Sequence, residues 1–388
     1  MATHLKAIEA EDPLANTSLP GWLYHDAGFF AAEQRAFLRA SPQIVCHVSD
    51  IAEPGMWQKL DYLGESIIVM RGDDGVARAF MNVCRHRGSR LVDGESGCAR
   101  VLTCPYHAWS YGRDGRLVGV PHRQEYPGLE VAAHGLKPVA LEEWHGFLFV
   151  RLEEDLPSVA EMMAPYEAEV APYRFEELRA IGRVTLRPRA LNWKTIADNY
   201  SDHLHIPVGH PGLTRLFGRN YRIEAREWVD RMEGDLVEAP SANPSERAYQ
   251  ALLPEAGHLP PSHRRKWLYY KLFPNVAFDI YPDQVDFMQF LPVSATETVI
   301  REISYALPDG RREMRAARYL NWRINRRVNA EDTELITRVQ LGMQSPAYQA
   351  GPLGTSEVCL RSFAGKLRRM VPEARLAKPP AAGWSAPS

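Results

Sequence analysis

Two short stretches, Cys84-Arg85-His86-Arg87-Gly88 and Cys104-Pro105-Tyr106-His107-Ala108-Trp109, decide how the first part of this chain folds. Each sets a cysteine beside a histidine, and residues 87–103 between them are enough chain to return the second loop against the first. An iron–sulfur centre of two irons with two cysteine and two histidine ligands needs two such mixed pairs, because histidines replace the thiolates on one iron.

A tetrahedral Cys₂His₂ zinc site is the competing reading. Zinc sites of that composition place their cysteines in one pair and their histidines in another, whereas both pairs here are mixed. The spacing C-x-H-x17-C-x2-H therefore predicts a Rieske-type [2Fe–2S] cluster held by Cys84, His86, Cys104 and His107, ahead of zinc and well ahead of coincidence. Gly88, Gly97 and Gly112 are expected near these loops, as turn formers or as backbone that can approach the cluster sulfurs.

Working outward, residues 44–154 consist of short β-rich runs such as Ser66-Ile67-Ile68-Val69-Met70, divided by turn signals at Asp73-Asp74-Gly75 and Arg113-Asp114-Gly115. That texture predicts a small all-β domain. Upstream, Phe29, Phe30, Phe37 and Leu38 recur with polar residues between them, so residues 1–43 are expected to hold a helical segment packed on this first domain. A connector with Pro157 as a helix start leads to a second domain over 155–375, and 376–388, with Pro379 and Pro380, reads as a flexible tail. In the second domain a helix is expected from Asn192 to His205. Strands follow near Trp267–Leu272, Val276–Tyr281, Asp286–Leu291 and Arg301–Leu307, then a long charged helix from about Arg311 to Leu341. The order predicts an α+β domain on an antiparallel sheet.

Composition narrows the partners. With 388 residues, more than one ordinary domain is expected. A net charge of -2 gives no electrostatic reason to bind nucleic acid. The first residues lack the charged-then-apolar pattern of a secretory signal, and no apolar run is long enough to span a membrane, so the chain reads as cytoplasmic. Five cysteines in a chain this long make no disulfide framework, and Cys46, Cys98 and Cys359 read as spare packing residues.

A second constellation lies in Asp198-Asn199-Tyr200-Ser201-Asp202-His203-Leu204-His205-Ile206-Pro207-Val208-Gly209-His210. On a helix Asp202 and His205 share a face, and Pro207 is expected to end that helix so that His210 comes round to the same point. A mononuclear Fe(II) site that activates O₂ takes two histidines and one carboxylate and keeps its other positions open. Asp332 is the leading carboxylate, with Glu331 and Glu334 as rivals; His203 points elsewhere on the helix, and His122, His134 and His145 carry no ligand spacing.

On these residues the chain resembles the oxygenase (α) subunit of the Rieske non-haem iron ring-hydroxylating oxygenases. The family's C-x-H-R-G and C-P-[YF]-H-x-W appear at Cys84–Gly88 and Cys104–Trp109, and its [ED]-N-[YF]-x-[ED]-x2-H-x4-H at Asp198–His210. The resemblance implies an N-terminal Rieske domain followed by a catalytic domain of helix-grip type. It implies a cluster on Cys84, His86, Cys104 and His107, iron on His205, His210 and Asp332, and Asp202 and Asn199 as residues serving catalysis.

Asp202 is then the bridge from His205 to a cluster histidine, His107, of the neighbouring subunit in a homotrimer. The reaction implied is hydroxylation or demethylation of a small substrate, aromatic or hydrophobic, with O₂. Its electrons come from NAD(P)H through a separate reductase, with or without a ferredoxin, since the chain has no Gly-rich dinucleotide fingerprint. An electron-transfer protein without oxygenase activity is the alternative. Relatives acting on quaternary amines carry Glu and Cys around the bridging position, where this chain has Asp202, His203 and Leu204, which points away from a quaternary ammonium substrate. The aromatics Trp267, Tyr269, Tyr270, Phe273, Phe278 and Tyr281 are expected mostly in the core, with a cation cage as the lesser reading.

Overall fold

The computed structural model describes residues 12–381 and Trp384. The first residues and the end of the expected tail lie outside the described residues. The chain divides into two compact units: Arg39–Ala180, and Ile181 onwards together with the chain up to Leu38.

In the first of these, seven strands form an antiparallel sheet in the order β1-β10-β9-β4-β3-β2-β5, and three more form a small sheet β6-β7-β8. They are β1 (Gln43–His47), β2 (Met56–Tyr62), β3 (Glu65–Arg71), β4 (Ala77–Met81), β5 (Ser96–Cys98), β6 (Leu102–Thr103), β7 (Ser110–Tyr111), β8 (Leu117–Gly119), β9 (Pro138–Trp144) and β10 (Phe147–Arg151). Both predicted turns form: Gly75 and Gly115 take φ of 75° and 82°, conformations that favour glycine. The cluster loops leave β4 and β6, and Cys84 and Cys104 join Trp57, Phe80, Trp109 and Tyr111 in one buried core. Ser158 caps the helix Val159–Met163, so Pro157 stands just ahead of the helix start.

The other unit is built on strands β11 (Thr185–Arg189), β12 (Tyr221–Ala225), β13 (Val229–Asp235), β14 (Lys266–Leu272), β15 (Val276–Ile280), β16 (Val285–Pro292) and β17 (Thr298–Ala306). They pair antiparallel throughout, in the order β11-β17-β16-β15-β14-β13-β12. Its helices include α1 (Ala27–Glu33), α2 (Trp193–Ser201), α3 (Pro211–Phe217), α4 (Arg312–Met343) and α5 (Val358–Met370).

The N-terminal segment is expected on the first domain and packs instead within the second unit. Glu33 at the end of α1 forms an ion pair of 2.9 Å with Lys194, and both side chains are fully buried. The Lys194 ammonium lies 5.4 Å from the Tyr24 ring centroid and 5.3 Å from that of Phe29, so the rings share its charge. Burying that ion without Glu33 would be prohibitive, which fixes where the segment must dock. Trp22 donates to the Leu376 carbonyl at 2.8 Å, and Arg368 donates to the Leu14 and Thr17 carbonyls, so the start of the expected tail is tied down as well.

Lys194→Met is expected to destabilise the second unit by about 3–5 kcal/mol, because it strands the buried Glu33 carboxylate. The double change Lys194→Met with Glu33→Leu is expected to recover most of that loss in denaturant unfolding. Equal losses in the single and double variants would contradict this account.

Candidate active site

The segment that carries the second constellation starts as a helix because Asn192 caps it, its side chain accepting from the Lys194 amide at 3.0 Å. The Gln340 side chain of α4 accepts from the Asn192 amide at 3.1 Å and from the Thr195 hydroxyl at 2.7 Å, while its own amide donates to the Tyr24 carbonyl. One buried side chain thus sets α2 against α4.

The helix ends at Ser201, four residues short of the expected His205, and Asp202 turns to extended backbone at φ -83° and ψ 141°. Its carboxylate explains the break. Asp202 accepts from the Leu204 amide at 2.9 Å and the His205 amide at 3.1 Å, a local turn that competes with helix hydrogen bonding. Pro207 accordingly begins the next helical turn, Ile206–Gly209, and does not end the previous one. The Asp202–His205 contact is kept by that turn: the ring Nδ1 lies 2.8 Å from the carboxylate, which leaves Nε2 with its lone pair outward.

Three side chains then converge. The Nε2 atoms of His205 and His210 are 3.1 Å apart, and Asp332 Oδ1 lies 2.9 Å from the second and 3.7 Å from the first. A first-row ion about 2.1 Å from each of three ligands at right angles needs them about 3 Å apart, so the set fits a facial two-histidine, one-carboxylate centre. Among the described residues this is the group of His, Cys, Asp or Glu donors that gathers within 4.8 Å. Asn199 donates to Asp332 Oδ1 at 2.7 Å and holds that carboxylate. The rivals lie elsewhere: Glu331 takes the Nδ1 side of His210 at 3.0 Å, and Glu334 pairs with Arg338 on the helix surface. His203 keeps a buried Nδ1 with no partner and takes no part in the set.

The cluster loops are built alike. Gly88 and Ala108, each four residues after its cysteine, have φ of 75° and 57° and donate to the cysteine carbonyl at 3.0 Å. The Cys84 and Cys104 amides donate at 2.8 Å to Ser89 and Trp109. Burial opposes ionisation of Cys104, but the backbone N–H groups of Tyr106 and His107 hold its thiol below the ordinary value. The His86 and His107 rings are 4.6 Å apart, and His86 Nδ1 is buried without a partner. A buried ring nitrogen with no hydrogen bond fits a metal ligand. The four donors do not gather within 4.8 Å as ligands of a single zinc would, in keeping with two irons. Of the glycines expected here only Gly88 belongs to a cluster loop; Gly97 lies under the Trp57 ring and Gly112 closes the hairpin to Arg116. Cys46 and Cys359 are buried, and Cys98 is exposed where a core place is expected.

A cavity of about 330 Å³ opens beside His205, His210 and Asp332. From α4 it is lined by Trp322, Asn325, Asn329, Asp332 and Ile336, the three- and four-residue steps of one helix face. From the sheet it takes Tyr269, Asp279, Tyr281, Asp286 and Glu302. Of the six aromatics singled out from the sequence, Tyr269 and Tyr281 face the cavity, and Trp267, Tyr270, Phe273 and Phe278 are core. Tyr200, Asp279 and Asp286 escaped the sequence reading, although two aspartates inside apolar strands were a usable signal. Tyr200 donates to Asp279, and burial pushes the Asp279 carboxyl up to about 7 against the opposing hydroxyls of Tyr200 and Tyr281.

Residues 175–373 match the family described as the ring hydroxylating alpha subunit (catalytic domain), and residues 41–137 match the Rieske [2Fe-2S] domain. The carnitine monooxygenase oxygenase subunit of Escherichia coli strain K12 is 33% identical over 241 residues, 62% of this chain and 63% of that protein. The glycine betaine monooxygenase oxygenase subunit of Chromohalobacter salexigens is 36% identical over 198 residues, 50% of this chain and 44% of that protein. The chain thus spans about two thirds or less of the length of these relatives. A solved quaternary ammonium Rieske monooxygenase superposes with a TM-score of 0.77 at 24% identity, covering 91% of this chain and 95% of the other, and shares the fold. No described helix is long and apolar enough to cross a membrane.

Because the raised Asp279 pKa lies above the ordinary 3.8, the folded chain holds a proton there that the unfolded chain has released. The stability this proton contributes is full below about pH 4 and is lost as pH rises through about 7. Thermal unfolding at fixed ionic strength is expected to show a midpoint falling across that window, with a shallower slope in Asp279→Asn; an unchanged slope would refute the assignment.

Proposed function

The chain belongs to the Rieske non-haem iron ring-hydroxylating oxygenases as an α subunit, and we propose that it oxidises a small quaternary ammonium compound at a carbon bonded to nitrogen. It is a terminal oxygenase with a Rieske [2Fe–2S] cluster and a mononuclear iron. The observation that carries the reading is the two-histidine, one-carboxylate set opening onto a cavity of about 330 Å³. A protein that only relayed electrons would have no use for such a cavity.

Cys84, His86, Cys104 and His107 would hold the cluster, and His205, His210 and Asp332 the iron. Bound there, the cluster supplies electrons one at a time and the iron supplies O₂ activation. The surrounding residues prepare those sites. Asp202 takes the Nδ1 proton of His205 and so fixes the tautomer that presents Nε2. Asn199 holds Asp332 so that one carboxylate oxygen faces both histidines. In the family's homotrimeric arrangement, Asp202 stands between His205 and His107 of a neighbouring copy, and a carboxylate hydrogen-bonded to both imidazoles is the electron's route. Two electrons from NAD(P)H, passed through a separate reductase in the cytoplasm, together with one proton from NAD(P)H and one from solvent, reduce one oxygen atom of O₂ to water. The other atom enters a C–H bond beside nitrogen. The hydroxylated product then loses its amine: the C–N bond breaks with its electron pair going to nitrogen, and an aldehyde and a proton are released.

The sequence favours an aromatic or hydrophobic substrate, and reads Asp202-His203-Leu204 as pointing away from a quaternary one. Relatives that act on carnitine and glycine betaine support the opposite choice. So does a cavity walled by the rings of Tyr200, Tyr269 and Tyr281, since ring faces bind quaternary ammonium groups. Asp202 also lines the cavity, but its carboxylate is taken up by the 203–205 turn and the His205 ring.

The purified chain with a reductase, NADH and O₂ is expected to release formaldehyde or a tertiary amine from glycine betaine or carnitine. No such product, together with a cis-diol from naphthalene, would reverse the substrate assignment. Asp332→Ala is expected to lose the mononuclear iron and keep the cluster, as read by metal analysis and the visible spectrum. Asp202→Ala is expected to retain both cofactors while reoxidation of the cluster in the presence of substrate slows about 10- to 100-fold in rapid mixing.

A further inference from the structure

The cavity is marked as the substrate's by the three iron-binding residues in its wall, whatever else lines it. Across its sheet face, one row of paired residues reads Tyr269, Asp279, Asp286, Ser304. Tyr269 is paired with Asp279 between β14 and β15, Asp279 with Asp286 between β15 and β16, and Asp286 with Ser304 between β16 and β17. All four line the cavity. Paired residues on antiparallel strands share a face with their Cβ atoms about 5 Å apart, so two carboxyl groups stand side by side away from bulk water.

Ionised together they would repel each other and lack solvent, so the pair either stays protonated or takes a compensating positive charge. Arg187, Arg189 and Arg326 also line the cavity, but none of them is a hydrogen-bond or ion-pair partner of Asp279 or Asp286. The partners of Asp279 are the Tyr200 and Tyr281 hydroxyls, and those of Asp286 are the Gln284 amide and the Ser304 hydroxyl, all of them neutral donors. The third acid of this wall, Glu302, is already matched by a two-pronged contact from Arg187. Around Asp279 three rings meet edge to face: Tyr200 and Tyr269 have centroids 6.5 Å apart, and Tyr269 and Tyr281 6.3 Å apart. A trimethylammonium head has no N–H to donate and is held by charge and by ring faces, which is what this corner offers.

We propose that Asp279 and Asp286 form the anionic counterpart of the substrate's positive head, within the ring of Tyr200, Tyr269 and Tyr281. The pair makes the site select a permanent cation over an uncharged group of the same shape. The inference rests on the quaternary ammonium reading above. Burial, the main cause, holds Asp279 up to about 7 and Asp286 well above the usual carboxylate range; an arriving cation favours the ionised forms of both.

The test uses the full chain with cluster and iron loaded, without O₂, and calorimetric binding of glycine betaine and of 3,3-dimethylbutanoate, in which carbon replaces the charged nitrogen. The wild type is expected to prefer the cation. In Asp279→Asn/Asp286→Asn, binding of glycine betaine is expected to weaken about 10- to 100-fold while that of the carbon analogue holds or tightens, so the preference collapses. A double variant that keeps the wild-type preference overturns the proposal. If the double variant does not carry its full iron and cluster, Asp286→Ser, which leaves the Tyr200–Asp279 bond in place, is read by the same ratio. A wild type that binds neither glycine betaine nor tetramethylammonium would overturn the substrate reading itself, and the proposal with it.

Discussion

The whole site depends on holding the segment that follows α2, which carries His205 and His210, in one fixed relation to α4. His210 and Asp332 are 122 residues apart in the chain, yet their ligand atoms stand 2.9 Å apart. A shift of one ångström between that segment and α4 would spoil a facial set of donors about 3 Å from one another. The relation is set by polar contacts buried where water cannot compete. Gln340 bonds both to the start of α2 and to the Tyr24 carbonyl, Asn199 bonds to Asp332, and Glu33 neutralises Lys194 behind the helix. Apolar packing alone tolerates sliding; hydrogen bonds with paired, desolvated partners do not.

Much of this was legible in the sequence, for reasons that differ by residue. Cys84, His86, Cys104 and His107 sit in short loops where spacing is geometry, and His205 and His210 are close enough in the chain for the same logic. Asp332 was harder, since a single acid on a charged helix looks like any solvated residue. Only the fold separates it from Glu331, which turns to the other nitrogen of His210, and from Glu334, which faces solvent. Strands β14 to β17 were found within about three residues, because apolar and β-branched runs bounded by turn residues mark them, whereas β12 and β13, rich in charged residues, were not expected.

The failures have physical causes. Helical spacing placed Asp202 and His205 on one face, but the Asp202 carboxylate satisfies the Leu204 and His205 amides and so ends the helix before them. Two different local structures give the same side-chain contact. The N-terminal segment was assigned to its neighbour in sequence because amphipathic periodicity shows that a helix has a buried face without saying what buries it. Asp279 and Asp286 stood out as acids within apolar strands, but their juxtaposition comes from cross-strand register, which pairs residues that periodicity treats one strand at a time.

The division of the chain bears on the order in which it can be made. Arg39–Ala180 is continuous and can close as soon as it leaves the ribosome. The catalytic unit has no such freedom. The strap at Leu14 reaches Arg368, 354 residues further on, so this unit closes only once Arg368 has been made. Until then Trp22 lacks the Leu376 carbonyl to which it donates, whereas Glu33 can meet Lys194 much sooner. The interrupted unit therefore completes its packing after the continuous one inserted within it.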